Sequence, residues 1–213
     1  MRLMQLFDSQ FPVGAFAHSG GLETYAARGG SLPEVRQVLR AQLELGWGRS
    51  ELAAAYLAWR AAGQGPQHQD IDSLSRTLDA LKVVPSIREV SLGLGRRTLD
   101  LLRRLYPDTL PAIALPHHAV VVGVAGRYLQ IEARPLLVAF AQSLATGTLA
   151  AAVRCMPIGP LHAQALLVEC QPGISAAVAR AIADPESSLF TCTPALDLRS
   201  HQQAGLHTRL FQS

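Results

Sequence analysis

The sequence has little charge and few aromatic residues, although it is rich in apolar ones. Charged residues make up 16% of the 213 positions, aromatic residues 6% and hydrophobic residues 49%. Disordered chains have the opposite balance, with low hydrophobicity and high net charge, so this class is excluded. At this length a single core buries roughly 70% of the unfolded surface, so no disulfide or metal is needed for stability.

Cysteine is scarce as well. The three cysteines, Cys155, Cys170 and Cys192, form no CxxC pair and are odd in number, unlike the framework of an oxidised secreted protein. The first residues reach Asp8 before an apolar run long enough for a signal peptide can form. We therefore expect a cytoplasmic protein.

The charge balance argues against nucleic acid as a partner. Nineteen basic residues against 16 acidic ones give a net charge of +3, and Lys82 is the one lysine. That excess is too small for a nucleic-acid footprint. Residues 109–126 and 135–153 are uncharged and long enough to resemble membrane spans, but they contain prolines, histidines or several polar side chains. We expect buried helices there and no membrane contact.

Helix-forming residues dominate what is present. Alanine and leucine are both frequent, and an apolar pattern with steps of three and four runs along one segment through Ile87, Val90, Leu94, Thr98, Leu101 and Leu105. Ser31 with Glu34, and Ser86 with Glu89, have the spacing of capping boxes. The run 120–122 is compatible with a strand, but a single strand would have no partner, which favours a helix. The sequence predicts one all-α domain over residues 1–213, a bundle of about ten helices, with short separate helices at 161–169 and 175–183.

The usual motifs of catalysis are missing. Lys82 lies between Leu81 and Val83 with no glycine nearby, which excludes a P-loop nucleotide hydrolase. Ser19 lacks the glycine two residues earlier that a nucleophile elbow requires, so we interpret it as the N-cap of a helix that starts near Leu22. The adjacent His117 and His118 would point apart and are poorly placed to share a metal. We predict no catalytic residues, no cofactor and no metal site within one chain.

One segment is distinctive. Residues 8–23, Asp-Ser-Gln-Phe-Pro-Val-Gly-Ala-Phe-Ala-His-Ser-Gly-Gly-Leu-Glu, resemble the N-terminal signature of the UreF family of urease accessory proteins. Weaker similarities follow in order: Arg88 to Arg97 with Ser91 and Gly95, then His118 with Gly123, then 152–159, and finally the ending Arg-Leu-Phe-Gln-Ser at 209–213. The resemblance covers essentially the whole chain.

The resemblance implies an all-helical, homodimeric adaptor without catalytic residues. Such a protein docks on the accessory protein UreD, also called UreH, recruits and regulates the GTPase UreG, and so helps to deliver nickel to the urease apoprotein. Whether regulation means activation or restraint of GTP hydrolysis stays open at this stage. The missing phosphate loop agrees with a division of labour in which a partner supplies the nucleotide chemistry.

The resemblance also implies a partner-binding surface made by both ends of the chain. Its expected residues are Pro12, Gly14, Phe16, His18, Ser19, Gly21, Glu23, Arg209, Leu210, Phe211 and Ser213. Phe16 lies either at this surface or in the core. Arg209 either fixes the last turn or acts as an arginine finger towards UreG.

The tail, residues 192–213, departs from the family pattern. Gln203 and Ala204 stand where the family has a His-Glu pair, and His207 stands where it has a tyrosine. We expect this tail to become ordered when UreD docks. We expect no tight nickel site; His18 and His118 are the first candidates for a weak site shared with another chain.

A different class of function is also compatible with these residues. A small helical enzyme or ligand-binding protein would use His18, Ser19 and Glu23 around the glycine-rich turn.

Overall fold

The computed structural model describes residues 1–14, 18–64, 69–107, 109–206 and 210–211. Within these ranges the chain has no β-strand and forms eleven α-helices followed by one 3₁₀ turn, which confirms the predicted all-α class. The helices are α1 (Arg2–Leu6), α2 (Leu22–Ala26), α3 (Leu32–Leu45), α4 (Ser50–Ala61), α5 (Gln69–Leu81), α6 (Pro85–Leu105), α7 (His118–Tyr128), α8 (Ala133–Cys155), α9 (Pro160–Ala183), α10 (Pro185–Ser188) and α11 (Pro194–Gln202), and the 3₁₀ turn is Gln203–Gly205.

The two predicted capping boxes have different outcomes. At the start of α3, the Glu34 carboxylate accepts hydrogen bonds from the Ser31 backbone N–H at 2.9 Å and from its hydroxyl at 3.0 Å, so the first box is confirmed. The second is wrong, because α6 begins at Pro85 with Val84 as its N-cap. Proline suits the first helical position, so Ser86 already lies inside the helix.

The central helix is α7. Its residues 119–126 are all buried, and it packs most extensively against α4 and then against α6. Gly123 makes the close approach possible, since a Cβ there would lie 2.1 Å from the Ala55 carbonyl oxygen of α4. The run 120–122 is therefore helical, as predicted.

Two helices flank this centre. By length and composition α8 and α9 are apolar enough to cross a membrane, but each places a row of buried residues against the core, as expected of helices inside a bundle. The prediction of two short helices at 161–169 and 175–183 is wrong, because α9 continues through Pro172. Pro172 and Val168, whose carbonyl loses the helical hydrogen bond, both face solvent, so water can hydrate that carbonyl.

The end of the chain returns to its beginning. Helix α11 packs against α2, and the glycine-rich turn, residues 11–21, leads directly into α2. The described residues near the two ends of the chain therefore lie in neighbouring parts of the structure.

Candidate functional site

A buried polar cluster joins the glycine-rich turn to the tail. We call this cluster, formed by Ser19, Glu23 and Gln203, the clasp; the three residues are 4%, 5% and 3% exposed. The Gln203 Oε1 atom accepts from the Ser19 hydroxyl at 2.9 Å and from the Gly21 N–H at 3.1 Å. Its Nε2 atom donates to Glu23 Oε2 at 2.6 Å. The amide of one glutamine therefore binds three groups of the opposite end of the chain.

The backbones of the two ends also touch. Gly21 is the N-cap of α2 and has a φ of +92°, a conformation that favours glycine. A Cβ at Gly21 would lie 2.7 Å from Ser200 Oγ and 3.0 Å from the Ser200 nitrogen of α11. Thr24, buried in α2, donates from its hydroxyl to the Arg199 carbonyl at 2.8 Å. Both the conformation and the contact therefore require glycine at position 21.

The last described residues close over the clasp. The Leu210 N–H donates to Glu23 Oε1, so each oxygen of this carboxylate accepts from the tail. Phe211 is 7% exposed, and the Arg154 guanidinium of α8 lies 5.9 Å from its ring centroid. Leu210 points outward with 72% of its surface exposed. The tail thus exposes the side chain of Leu210 and buries that of the following Phe211.

Helix α6 fixes the outer part of the turn. Arg97 donates from Nε to the Val13 carbonyl at 2.6 Å, and Val13 is buried. Burial and the nearby Arg97 charge both lower the pKa of His18, which favours the neutral imidazole at neutral pH.

The clasp also affects a neighbouring thiol. Cys155 ends α8, and burial, assisted by the negative charge of Glu23, raises its pKa to about 11. The thiol is therefore protonated at neutral pH, which makes it a poor nucleophile and a poor metal ligand.

A second polar cluster lies at the junction of α5, α6 and α7. His117, fully buried at the start of α7, has Nδ1 3.1 Å from Ser91 Oγ and Nε2 3.2 Å from Asp79 Oδ1. Nearby, Lys82 donates to Glu51, and their side chains are only 10% and 11% exposed. Burial lowers the pKa of His117, so it is neutral at neutral pH. This network connects three helices in the interior.

The second cluster borders a mostly apolar cavity of about 210 Å³, which Ser91, Lys82 and His118 help to line. Burial lowers the pKa of His118 to about 4. Throughout the described ranges, no three His, Cys, Asp or Glu side chains are placed to hold a metal ion together.

The predicted partner-binding residues separate into exposed and buried sets. Pro12, Gly14 and Leu210 are exposed and His18 is half-buried, whereas Ser19, Gly21, Glu23 and Phe211 are buried within the chain. Phe16, Arg209 and Ser213 lie outside the described residues. The assignment of Ser19 as an N-cap is wrong: Gly21 takes that position and the Ser19 hydroxyl binds Gln203 instead.

Sequence reasoning missed the role of Gln203. It singled the residue out only as a departure from a family pattern, and no local periodicity indicates that it binds residues 180 to 184 positions away. The signal that was available is its chemistry: an amide that both donates and accepts is the side chain that a buried carboxylate and two N–H or O–H donors require.

We compared the chain with known proteins, and the relatives named below align with it over its whole length. The family model described as UreF matches residues 33–171. The chain is 33% identical over 222 residues to the urease accessory protein UreF of Nostoc sp., covering 100% of this chain and 95% of that protein. It is 30% identical to the protein of the same name from Trichormus variabilis and 32% identical to that of Paracoccus denitrificans, in each case over 100% of this chain and 95% of the relative.

Proposed function

Since this chain belongs to the UreF family, whose members take part in urease maturation, we propose that it is a non-catalytic adaptor. It docks on UreD (UreH), recruits the GTPase UreG and regulates its GTP hydrolysis, so that nickel reaches the urease apoprotein. It does so in the cytoplasm as a homodimer, with no cofactor of its own and no contact with nucleic acid or membrane.

The observation that supports this proposal is the set of hydrogen bonds that joins the two ends of the chain at the clasp. The family likeness extends over the full chain, and the N-terminal signature meets the tail at the clasp. An adaptor needs a defined surface more than a reaction centre, and the buried bonds of the clasp hold the backbone of both segments in place.

The proposed UreD-docking surface consists of the outer side of the turn and tail. Pro12, Gly14 and Leu210 supply its exposed positions, with His18 half-exposed beside them. Phe16, Arg209 and Ser213 are assigned to it from the sequence. The buried residues Ser19, Gly21, Glu23 and Phe211 support this surface from beneath.

The geometry around His18 and Ser19 does not support the alternative hypothesis of an enzyme. A nucleophile has to reach its substrate, but Ser19 is 4% exposed and its hydroxyl donates to Gln203.

Co-expression with UreD and UreG from the same source, followed by gel filtration, tests the proposal. We expect a complex with all three components, together with faster activation of urease when nickel is added. A chain that elutes alone in the presence of both partners would refute the adaptor role. Leu161→Asp, a charge introduced at an exposed position of α9, should leave the complex intact, because α9 is not part of the proposed docking surface.

A further inference from the structure

We propose that Gln203 is a positioning residue that holds the tail on the glycine-rich turn, and that Glu23 and Gln203 together set the position of Leu210. The proposal concerns the free chain; its consequence for partner binding rests on the proposed function.

The first step is the complete use of the Gln203 amide. Its oxygen accepts from Ser19 and Gly21, and its nitrogen donates to Glu23, at distances between 2.6 and 3.1 Å. The residue is 3% exposed, so water cannot easily replace these partners. A glutamate at this position would keep the two accepted bonds but would bring a second carboxylate to the Glu23 carboxylate.

The second step concerns Glu23. This buried side chain accepts from Gln203 Nε2 through one oxygen and from the Leu210 N–H through the other. Both donors belong to the tail. If the tail separates from α2, the carboxylate loses both bonds at once, and a buried carboxylate without hydrogen bonds is costly. Attachment of the tail and hydrogen bonding of the Glu23 carboxylate are therefore coupled.

The third step connects this pair to the displayed side chain. The N–H that binds Glu23 belongs to Leu210 itself, whose side chain is 72% exposed, whereas the following Phe211 is 7% exposed. Glu23 fixes the Leu210 backbone, and Gln203 fixes Glu23. Neither residue faces outward, so both act on a docking partner only through the residues they position.

The experiment exchanges the two groups. In Gln203→Glu the two carboxylates repel each other. In the double variant Glu23→Gln/Gln203→Glu, the amide and the carboxylate change places and every bond of the clasp is kept: residue 203 accepts from Ser19, Gly21 and residue 23, and residue 23 still accepts from Leu210. Gln202→Glu is the control, because Gln202 already accepts from Arg199 at 2.9 Å and a carboxylate fits there.

The readout is hydrogen exchange of the tail amides of Leu210 and Phe211 in the free protein at pH 7. We expect exchange to be about tenfold faster or more in Gln203→Glu, as lost hydrogen bonds to a charged group imply. The double variant should return to within about threefold of wild type, and Gln202→Glu should stay within about twofold.

Two results would overturn the proposal: unchanged tail exchange in Gln203→Glu, or failure of the double variant to restore protection. If Gln203→Glu also loosens the core, as reported by exchange in α7 and α8, the double variant still decides, because a merely disruptive substitution is not rescued by a second one.

Co-purification of the same variants with UreD separates this inference from the proposed function. Weaker recovery of Gln203→Glu and normal recovery of the double variant support both. If the exchange results are as expected and the wild-type chain does not bind UreD, the positioning role stands and the docking function fails.

Discussion

Arg97, in the middle of α6, donates from Nε to the carbonyl oxygen of Val13 at 2.6 Å and so attaches the glycine-rich turn to the bundle. This contact and the clasp hold the turn from two sides. The described residues of the turn are therefore held by two separate contacts, and each contact can be removed by its own substitution.

Arg97→Ala should loosen the turn and lower the free energy of unfolding by about 1 kcal/mol, the typical contribution of one such hydrogen bond. It should also raise the pKa of His18, because the Arg97 charge helps to lower that pKa. Urea unfolding and an NMR titration of His18 measure the two effects. Arg96→Ala, at the exposed neighbouring position, is the control; an unchanged His18 pKa in Arg97→Ala would contradict the prediction.

Lys82→Ala should destabilise the protein by about 3–5 kcal/mol, because it leaves Glu51 without its cation in an interior where the two side chains are 10% and 11% exposed. Replacing both partners, as in Lys82→Met/Glu51→Gln, should cost less than Lys82→Ala alone. Arg40→Met breaks the surface pair with Glu44 and should change the stability by less than about 1 kcal/mol. Denaturant unfolding of the three variants measures these changes in stability. Equal losses of stability in Lys82→Ala and Arg40→Met would refute the prediction.

Stability should fall between pH 6.5 and pH 4. The His118 pKa is lowered from 6.5 to about 4 in the folded chain, so the unfolded chain binds the proton first, and folding loses up to about 1.4 kcal/mol per pH unit across that window. Above pH 6.5 this contribution is fully present. His118→Phe should flatten the profile measured by urea unfolding, with part of the slope remaining from His117, whose pKa is also lowered. An unchanged slope in that variant would show that His118 is not responsible.

Leu210→Asp should weaken recovery of UreD roughly tenfold or more, as expected for an apolar anchor at an interface. The melting temperature should not change, because the side chain is 72% exposed. Met4→Asp, 75% exposed on α1, carries the same change away from the turn and tail and should bind normally. Equal binding by both variants would remove Leu210 from the docking surface.

Arg209→Ala distinguishes the two roles considered for this residue. If Arg209 fixes the last turn for docking, the substitution should weaken assembly of the three-component complex while the circular dichroism of the free protein is unchanged. If assembly is intact and only GTP hydrolysis falls, the arginine-finger role is favoured instead. Arg199→Ala, in α11, is not an equivalent control because Arg199 already binds Gln202 and stacks on Tyr25; Arg104→Ala at the exposed end of α6 is suitable.

Local patterns predicted the fold well where the determinants lie within a few residues. The Ser31 box succeeded because its two partners are three residues apart and start the helix themselves. The Ser86 box failed because Pro85 had already started the helix, and Pro172 failed as a helix end because packing of α9 on the core outweighs one lost hydrogen bond on its exposed side.

The site shows the limit of the same reasoning. The residues of the turn were identified by their motif, but nothing in the motif shows that Glu23 and Ser19 are buried. Both side chains bind Gln203, which lies at the other end of the chain. Contacts across 180 positions follow from the path of the helices and have no period in the sequence.

The bond between Glu23 and Gln203 also dictates the order of events during synthesis. A contact that spans 180 residues closes only after the polypeptide between them has been translated, and closing so long a loop costs conformational entropy. A nascent chain that stops before residue 203 therefore never presents the surface built on the clasp. A partner that binds this surface therefore does not bind truncated chains, because they cannot form the clasp.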